Sequence, residues 1–584
     1  MIYGHDPRTG ETVGEALPET DSAGVNTIVA AAAAAAATGA SRASRAAGVS
    51  GVSGAAGVSG PGGAGGVGEA SGAAGVGGAG GASGVAAGAG EAAGGAGASG
   101  VPSGGGAEGG AGGVSEVGRA SGAGGVSGVG GWRGASVDER ARVLEGVADA
   151  LIARADDLWV VAERETALGE VRLRGEIARS AGQFRLFAQV IRDGGHVEAI
   201  IDHADPSLTP PRPDVRRMKR PLPGVVAVFA ASNFPFAFSV AGGDTASALA
   251  AGCSVVVKAH PGHPQTSELV AEVVRSALPS PDLLGLVHGV RAGAELVRHP
   301  DVVAVGFTGS VAGGKAIQAL IDQRETPVPF FGELGSVNPV VVLPSARVDE
   351  VAGGFAGSLT LGVGQFCTNP GLLFVPEDAG LLDRLAAAVR ETTGGPMLAE
   401  RIRDGYLGGL ERLSGLRVLA EGKAGEGAWG VTPTVFVADI REFADKLPRV
   451  AEECFGPASI VVTYREVSEL PAVLEQLEGS LTATLHGTVP EEAASVAEVL
   501  GRKAGRLIWN GWPTGVAVCW AMHHGGPWPA STSAAHTSVG ATAIDRWLAP
   551  TAYQDWPALL ASVLTSTPAL AHGTMSNPPS RVYT

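Results

Sequence analysis

Residues 224–258 read GVVAVFAASNFPFAFSVAGGDTASALAAGCSVVVK. GVVAVFAA at 224–231 is an apolar run of strand length, and SVVVK at 254–258 is a second. Neither alternates apolar with polar residues, so both faces of each strand are expected to be buried, as in a parallel sheet covered by helices. Residues 238–251 between them are rich in Ala and Gly and read as a helix. The pattern continues outward with a helix at 266–278, a strand at 302–306 and a helix at 311–321. A helix at 351–360 and a strand at 372–375 follow in the second half. Serial β-α-β units with right-handed crossovers predict a doubly wound α/β sheet, whose ligands sit at the carboxyl ends of its strands.

The chain has 584 residues and a net charge of -16, with a pI near 5.3. That balance argues against nucleic acid or an anionic membrane as a partner. Four cysteines give no disulfide framework and suit a reducing cytoplasm, where a thiol can serve as a nucleophile. No basic-then-apolar leader is evident at 1–10. The apolar run at 28–37 is shorter than the roughly 20 residues that span a bilayer. A soluble cytoplasmic protein is expected. Residues 38–131 are almost wholly Gly, Ala, Ser and Val, without an aromatic side chain. Such a segment has little apolar surface to offset its ordering entropy, so it reads as a disordered insertion between helices at 28–37 and 137–155. An assembly or elastic role is the alternative.

Four motifs carry chemistry. The strand at 302–306 runs into GFTGSVAGG at 306–314, where Gly309, Ser310 and Gly314 can admit a pyrophosphate at a helix start. The same pattern suits a plain strand–helix turn. Cys367, in GQFCTNPG at 364–371, lies on a loop shaped by glycine and proline, where a thiol can be activated. A small structural hydrophobe is the other reading, and it is the one given to Cys253, Cys454 and Cys519. Glu333, in FFGELG at 330–335, follows an apolar strand, where partial burial is expected to raise its pKa toward that of a general base. A capping carboxylate is the alternative. Asn233, in ASNFPF at 231–236, ends the first strand and can donate to an oxyanion, or simply shape a turn.

Taken together, these motifs make the chain resemble the aldehyde dehydrogenase superfamily. SNFPF, VVVKAH, FTGS, GELGSVNP, GQFCTNPG and EECFGP at 452–457 occur in that family's order, after the turn DPRTGE at 6–11. GGDTASALAAG at 242–252, KAHPGHPQTSE at 258–268 and NGWPTGV at 510–516 are similar to the branch of 2,5-dioxopentanoate (α-ketoglutarate semialdehyde) dehydrogenases and NADP-dependent fatty-aldehyde dehydrogenases. The resemblance implies Cys367 as nucleophile, Glu333 as general base, and Asn233 with the Cys367 N–H as oxyanion hole. It implies Lys258 on the adenosine ribose, Ser310 and nearby glycines on the pyrophosphate, and Glu453 on the nicotinamide ribose. Gly332, before the base, and the glycine-rich insertion depart from the family pattern.

The implied architecture is a cofactor-binding domain (1–37, 132–330 and part of 507–584), a catalytic domain (331–506) and a small oligomerisation sheet. Strands near 203–220 and 546–553 would form that sheet in a homodimer or homotetramer. The implied reaction is NAD(P)-dependent oxidation of a small-molecule aldehyde through a cysteine thioester, with 2,5-dioxopentanoate giving 2-oxoglutarate. The alternatives are a fatty or other aldehyde and, from another class, an inactive scaffold. An acylating enzyme would lack Glu333, and a cysteine hydrolase would need a histidine at the thiol, with His260 and His263 as candidates by composition. No acid follows Lys258 in its turn, and Lys258 with a protonatable His260 would favour the 2′-phosphate of NADP. Arg185, in GQFRLF at 182–187, is the candidate cation for an anionic substrate, or else a surface arginine. No metal is expected. Replacing 38–131 with a short linker should leave turnover within about twofold, because that composition builds no packed core. Activity and melting temperature check this, and a large loss of either would reveal a specific contact.

Overall fold

The computed structural model describes residues 1–37 and 131–557. The expected disordered insertion lies outside the described residues, apart from Gly131, which opens a helical turn at Gly131–Gly134. Helices Ser22–Ala37 and Val137–Ala153 flank it, as the periodicity indicated. Among the described residues no helix is long and apolar enough to cross a membrane.

The first sheet has five parallel strands in the spatial order Leu284–Val287, Ser254–Lys258, Val225–Phe229, Val302–Thr308 and Phe330–Glu333. In chain order that is third, second, first, fourth, fifth, so the winding reverses between Val225–Phe229 and Val302–Thr308. Alternate residues of each strand serve opposite faces. Val225, Ala227, Val256 and Val305 pack with Val29, Leu296 and Ile317 from helices Ser22–Ala37, Val290–Arg298 and Val311–Asp322. Val226, Val228, Val255 and Val257 pack with Leu144, Phe184, Leu249 and Val270 from Val137–Ala153, Glu170–Asp193, Gly243–Ala251 and Pro264–Ala277. Each fully buried aliphatic side chain contributes roughly 1.5–3 kcal/mol relative to exposure, which is why polar residues in these strands are confined to their ends.

The helix expected at 238–251 begins only at Gly243. The preceding segment folds back on itself, with Ala231 N–H donating to Phe238 O (2.9 Å) and Gly243 N–H to Ala237 O (3.2 Å). This hairpin-like turn leaves Asn233 at its tip. A Cβ on Gly242 would lie 2.9 Å from three backbone atoms of the turn, so the chain can close there only without a side chain.

The second sheet has seven strands in the order Arg417–Glu421, Thr434–Asp439, Ala458–Tyr464, Leu372–Pro376, Val340–Val342, Ser480–His486 and Ala504–Trp509. All are parallel except the edge strand Arg417–Glu421. The chain leaves the first sheet after Glu333, and the last strand of the second sheet ends at Trp509. A third, antiparallel sheet joins Ile200–Asp202, Val215–Pro221 and Leu548–Gln554. The residues before Leu548 are fastened to the first domain. Trp547 is wholly buried, its indole N–H donates to Ser247 Oγ (2.8 Å), and Arg546 pairs with Asp244 at 2.7 Å. Trp547→Ala should destabilise the protein by about 3–5 kcal/mol, since the cavity adds to lost burial. Denaturant unfolding measures it, and a change under about 1 kcal/mol would show that this anchor is unimportant.

Candidate active site

The reversal point of the first sheet gathers the expected residues at one edge. Asn233 follows Val225–Phe229, Ser310 follows Val302–Thr308, and Glu333 ends Phe330–Glu333. Cys367 comes from the second sheet, just before Leu372–Pro376. Carboxyl ends of one sheet therefore face amino ends of the other. Asn338 fixes the cysteine loop across this junction. Its Nδ2 donates to Cys367 O (2.8 Å) and Asn369 O (2.9 Å), and its Oδ1 accepts from Thr482 N–H (3.2 Å) and Oγ1 (3.0 Å). Its φ of 46° suits Asn, whose short amide tolerates the left-handed region. Gly364, at φ 66°, lies where a Cβ would come within 2.3 Å of the Gly456 carbonyl carbon.

Cys367 Sγ is 3.6 Å from His524 Nε2, and the same nitrogen is 3.0 Å from Glu333 Oε1. Thiol, imidazole and carboxylate all lie within 4.8 Å of one another. Ser538 Oγ donates to the second carboxylate oxygen of Glu333. Burial pushes the Glu333 carboxyl up, but the His524 charge and hydrogen bond, the Ser538 hydroxyl and the Arg546 charge together outweigh it. The net shift is downward, which corrects the expectation that burial would raise it. Burial, reinforced by the charges of Glu333 and Glu453, drives the Cys367 thiol well above the ordinary thiol range. His524 Nδ1 is enclosed and has no hydrogen-bond partner. The arrangement thus differs from a serine-protease triad, where separate ring nitrogens face nucleophile and carboxylate. Asn233 is buried, and its Nδ2 donates to Gln365 O (2.9 Å), two residues before the cysteine.

The remaining site residues divide. Lys258, at the end of its strand, has an ammonium with no hydrogen bond or ion pair; burial, with the nearby Arg401 charge, lowers its pKa to about 8, Glu19 opposing. Burial raises Glu453 to about 7, against a Ser336 N–H bond. Its carboxylate oxygen lies 2.5 Å from where a Gly335 Cβ would stand. Ser310 caps helix Val311–Asp322 by accepting from Gly313 N–H (3.1 Å). A Cβ on Gly309 would press the Phe307 ring at 2.6 Å, and one on Gly314 would strike Leu334 at 2.5 Å. Gly314 thus lets the helix pack closely. His260 does not become a cation. Its Nδ1 accepts from Gly262 N–H (3.0 Å), and Nε2 faces the Arg401 guanidinium at 2.8 Å. Burial, with neighbouring His263, Lys258 and Arg401, holds its pKa well below the usual imidazole range. The positive charge beside Lys258 comes from Arg401 instead.

With this geometry in view, the relatives fall into place. Residues 111–549 match the aldehyde dehydrogenase family. The chain belongs to the aldehyde dehydrogenase family. It is 47% identical over 445 residues to alpha-ketoglutaric semialdehyde dehydrogenase 2 of Azospirillum brasilense, covering 73% of this chain and 84% of that one. It is 43% identical to alpha-ketoglutaric semialdehyde dehydrogenase of Acinetobacter baylyi, covering 71% and 82%. Among solved structures it is similar to an NAD-dependent aldehyde dehydrogenase from Sinorhizobium meliloti, with a TM-score of 0.62 and 25% identity over 72% of this chain and 83% of that one.

In this dehydrogenase Arg185 does not join the site. It is half exposed and pairs with Asp149 at 2.7 Å on helix Val137–Ala153. Seven residues separate Arg172 from Arg179, nearly two turns, so they share one face of helix Glu170–Asp193, whereas six more residues turn Arg185 away. Arg172 donates to Asn233 O (2.6 Å) and pairs with Glu176 at 3.2 Å. His524, Ser538, Asn338 and Arg179 were not legible as site residues. His524 and Ser538 lie in an irregular segment without periodicity, and the paired histidines His523 and His524 were the one available signal. Because the Cys367 thiol is raised, its alkylation by iodoacetamide should keep accelerating as pH climbs past the ordinary thiol range. His524→Ala should slow alkylation at every pH below that range, since the thiolate loses its donor. A rate that levels off near neutrality in the wild type would contradict this electrostatic picture.

Proposed function

We propose that this aldehyde dehydrogenase oxidises 2,5-dioxopentanoate to 2-oxoglutarate with NADP, NAD serving less well, through a thioester on Cys367. The convergence of thiol, imidazole and carboxylate within 4.8 Å carries the chemistry, and the likeness to two alpha-ketoglutaric semialdehyde dehydrogenases supports the substrate.

The Cys367 sulfur attacks the aldehyde carbon while its proton passes to His524 Nε2. Burial and two carboxylates keep the resting thiol protonated, so a local base is required at the moment of attack. Nε2 lies 3.6 Å from the Cys367 sulfur and 3.0 Å from Glu333 Oε1, between the group that loses the proton and the carboxylate. The Asn233 amide, held beside the cysteine loop, donates to the alkoxide that forms. When bound, a nicotinamide dinucleotide would supply the acceptor for the hydride that leaves the substrate carbon. Glu333 then orients and deprotonates the hydrolytic water, and His524 returns the thiol proton to the Cys367 sulfur as the thioester breaks.

The residues present fit that dinucleotide. A half-buried ammonium without a partner among the described residues at Lys258 suits a ribose hydroxyl or a 2′-phosphate, and Arg401 strengthens the preference for phosphate. Glu453, buried without a cation, suits the second ribose. Gly309 and Ser310 lie at a helix start that favours pyrophosphate. The small antiparallel sheet supports a homodimer or homotetramer.

Glu333→Gln should give a burst of reduced cofactor followed by turnover slowed by about 100-fold or more, because acylation precedes the step it blocks. Cys367→Ala should give neither burst nor turnover. Steady wild-type-like turnover in Glu333→Gln would make Glu333 structural. In the wild type, 2,5-dioxopentanoate should exceed long alkanals in kcat/KM, and NADP should exceed NAD; a lead for long alkanals would overturn the substrate.

A further inference from the structure

Three arginine charges reach the Cys367 region: Arg172, Arg179 and Arg506. Two of them are committed. Arg172 is neutralised by Glu176 at 3.2 Å and bonded to Asn233 O. Arg506 donates through Nη1 to Gly515 O (3.0 Å) and through Nη2 to Pro513 O (2.7 Å), leaving only its Nε enclosed without a partner. Arg179 is different. Its Nε and Nη2 are enclosed without a hydrogen-bond partner, and no carboxylate of the described residues lies within 4 Å of it. Glu176, one turn away, turns its oxygens to Arg172 and to Phe236 N–H (3.5 Å).

Two aromatic rings hold this guanidinium. Its carbon lies 5.5 Å from the Phe234 centroid and 5.2 Å from that of Phe238. Phe234 packs edge-on against Phe366, the residue before the nucleophile, at 5.4 Å. Phe238 packs against His524 at 6.5 Å. The aromatic pair thus places one cation beside rings that pack against both the Cys367 loop and His524. Two enclosed donors left without partners on a charged side chain are costly to keep, so their retention at the reacting centre calls for an anion that arrives from outside. An incoming keto-acid aldehyde brings one, and without a cation it would meet the negative charges of Glu333 and Glu453.

We propose that Arg179 receives the carboxylate of the substrate, pairing with it through its planar fork while the aldehyde end reaches Cys367. The proposal rests on the reading of the substrate as a keto-acid aldehyde. The fork geometry matches a carboxylate with two parallel N–H donors, which a lysine cannot reproduce. Arg179, and not Arg185, is then the specificity-determining cation of helix Glu170–Asp193.

The test compares kcat/KM for 2,5-dioxopentanoate and for butanal in the wild type, Arg179→Met and Arg179→Lys. The ratio of the two constants should fall by about 10- to 100-fold in Arg179→Met, as expected for loss of a charged hydrogen-bonded contact. The fall should appear mainly as a higher KM for the keto acid, and 2-oxoglutarate should weaken as a product inhibitor by a similar factor. Arg179→Lys should recover part of the ratio. An unchanged ratio in Arg179→Met, with the keto acid still preferred, overturns the anchor and leaves the substrate reading intact. No preference for the keto acid in the wild type overturns the substrate reading itself. If Arg179→Met does not fold, Arg179→Lys decides: a KM rise confined to the keto acid supports the anchor, and an equal change for both aldehydes overturns it.

Discussion

A carboxylate shut away from water stays ionised only if the protein supplies what water would have given it, and Glu333 is such a carboxylate. His524, Ser538 and Arg546 supply it. These partners all come from the segment that returns to the first domain after the second sheet is complete. The junction of the two sheets is thus closed by the chain's last crossing, and the ionised base depends on that crossing. The pairing has a second consequence. A negative charge held this close raises the thiol, so nucleophile and base cannot both be ionised at rest without cost. His524 Nε2 lies between the two, 3.6 Å from the sulfur and 3.0 Å from the carboxylate.

The scaffold makes this arrangement rigid. Asn338 stitches the cysteine loop to Ser480–His486 through an amide whose donors and acceptor are both used. Gly364 and Gly456 let backbone approach backbone where any side chain would intrude. The sheet ends stay fixed because their strands are buried on both faces, and loops hung from such strands inherit their precision. Electrostatic preorganisation of the kind proposed for Asn233 depends on this rigidity, since a donor that must reorganise contributes less to the transition state.

Charge in the site is unevenly distributed, and that shapes the cofactor reading as well. The expectation that His260 carries a positive charge fails because the turn buries it against Arg401 and Lys258, where a third cation is disfavoured. The helix carrying Arg401 belongs to the second sheet's side of the molecule. Its contribution next to Lys258 therefore depends on tertiary contact, and the absence of an acid in the turn after Lys258 was only half of the electrostatic account.

The sequence by itself determined the alternation of apolar strands and helices. It also pointed to a doubly wound parallel sheet, because apolar runs such as 225–229 and 255–257 have to be buried on both faces. It singled out Cys367, Glu333 and Asn233 as candidates too, through short motifs whose order resembles the aldehyde dehydrogenase family, and the structure brings them to one junction. Only the tertiary structure decided which groups surround them. His524 is 157 residues from Cys367 and Ser538 is 205 from Glu333. No local pattern encodes such separations, since irregular segments have no period. The same holds for the helix that carries Arg172, Arg179 and Arg185. Periodicity placed all three on a helix, but only the packing of Glu170–Asp193 against Phe234 and Phe238 decides which arginine faces the thiol. Direction around a helix axis is set by what the helix packs against, and that partner lies elsewhere in the chain.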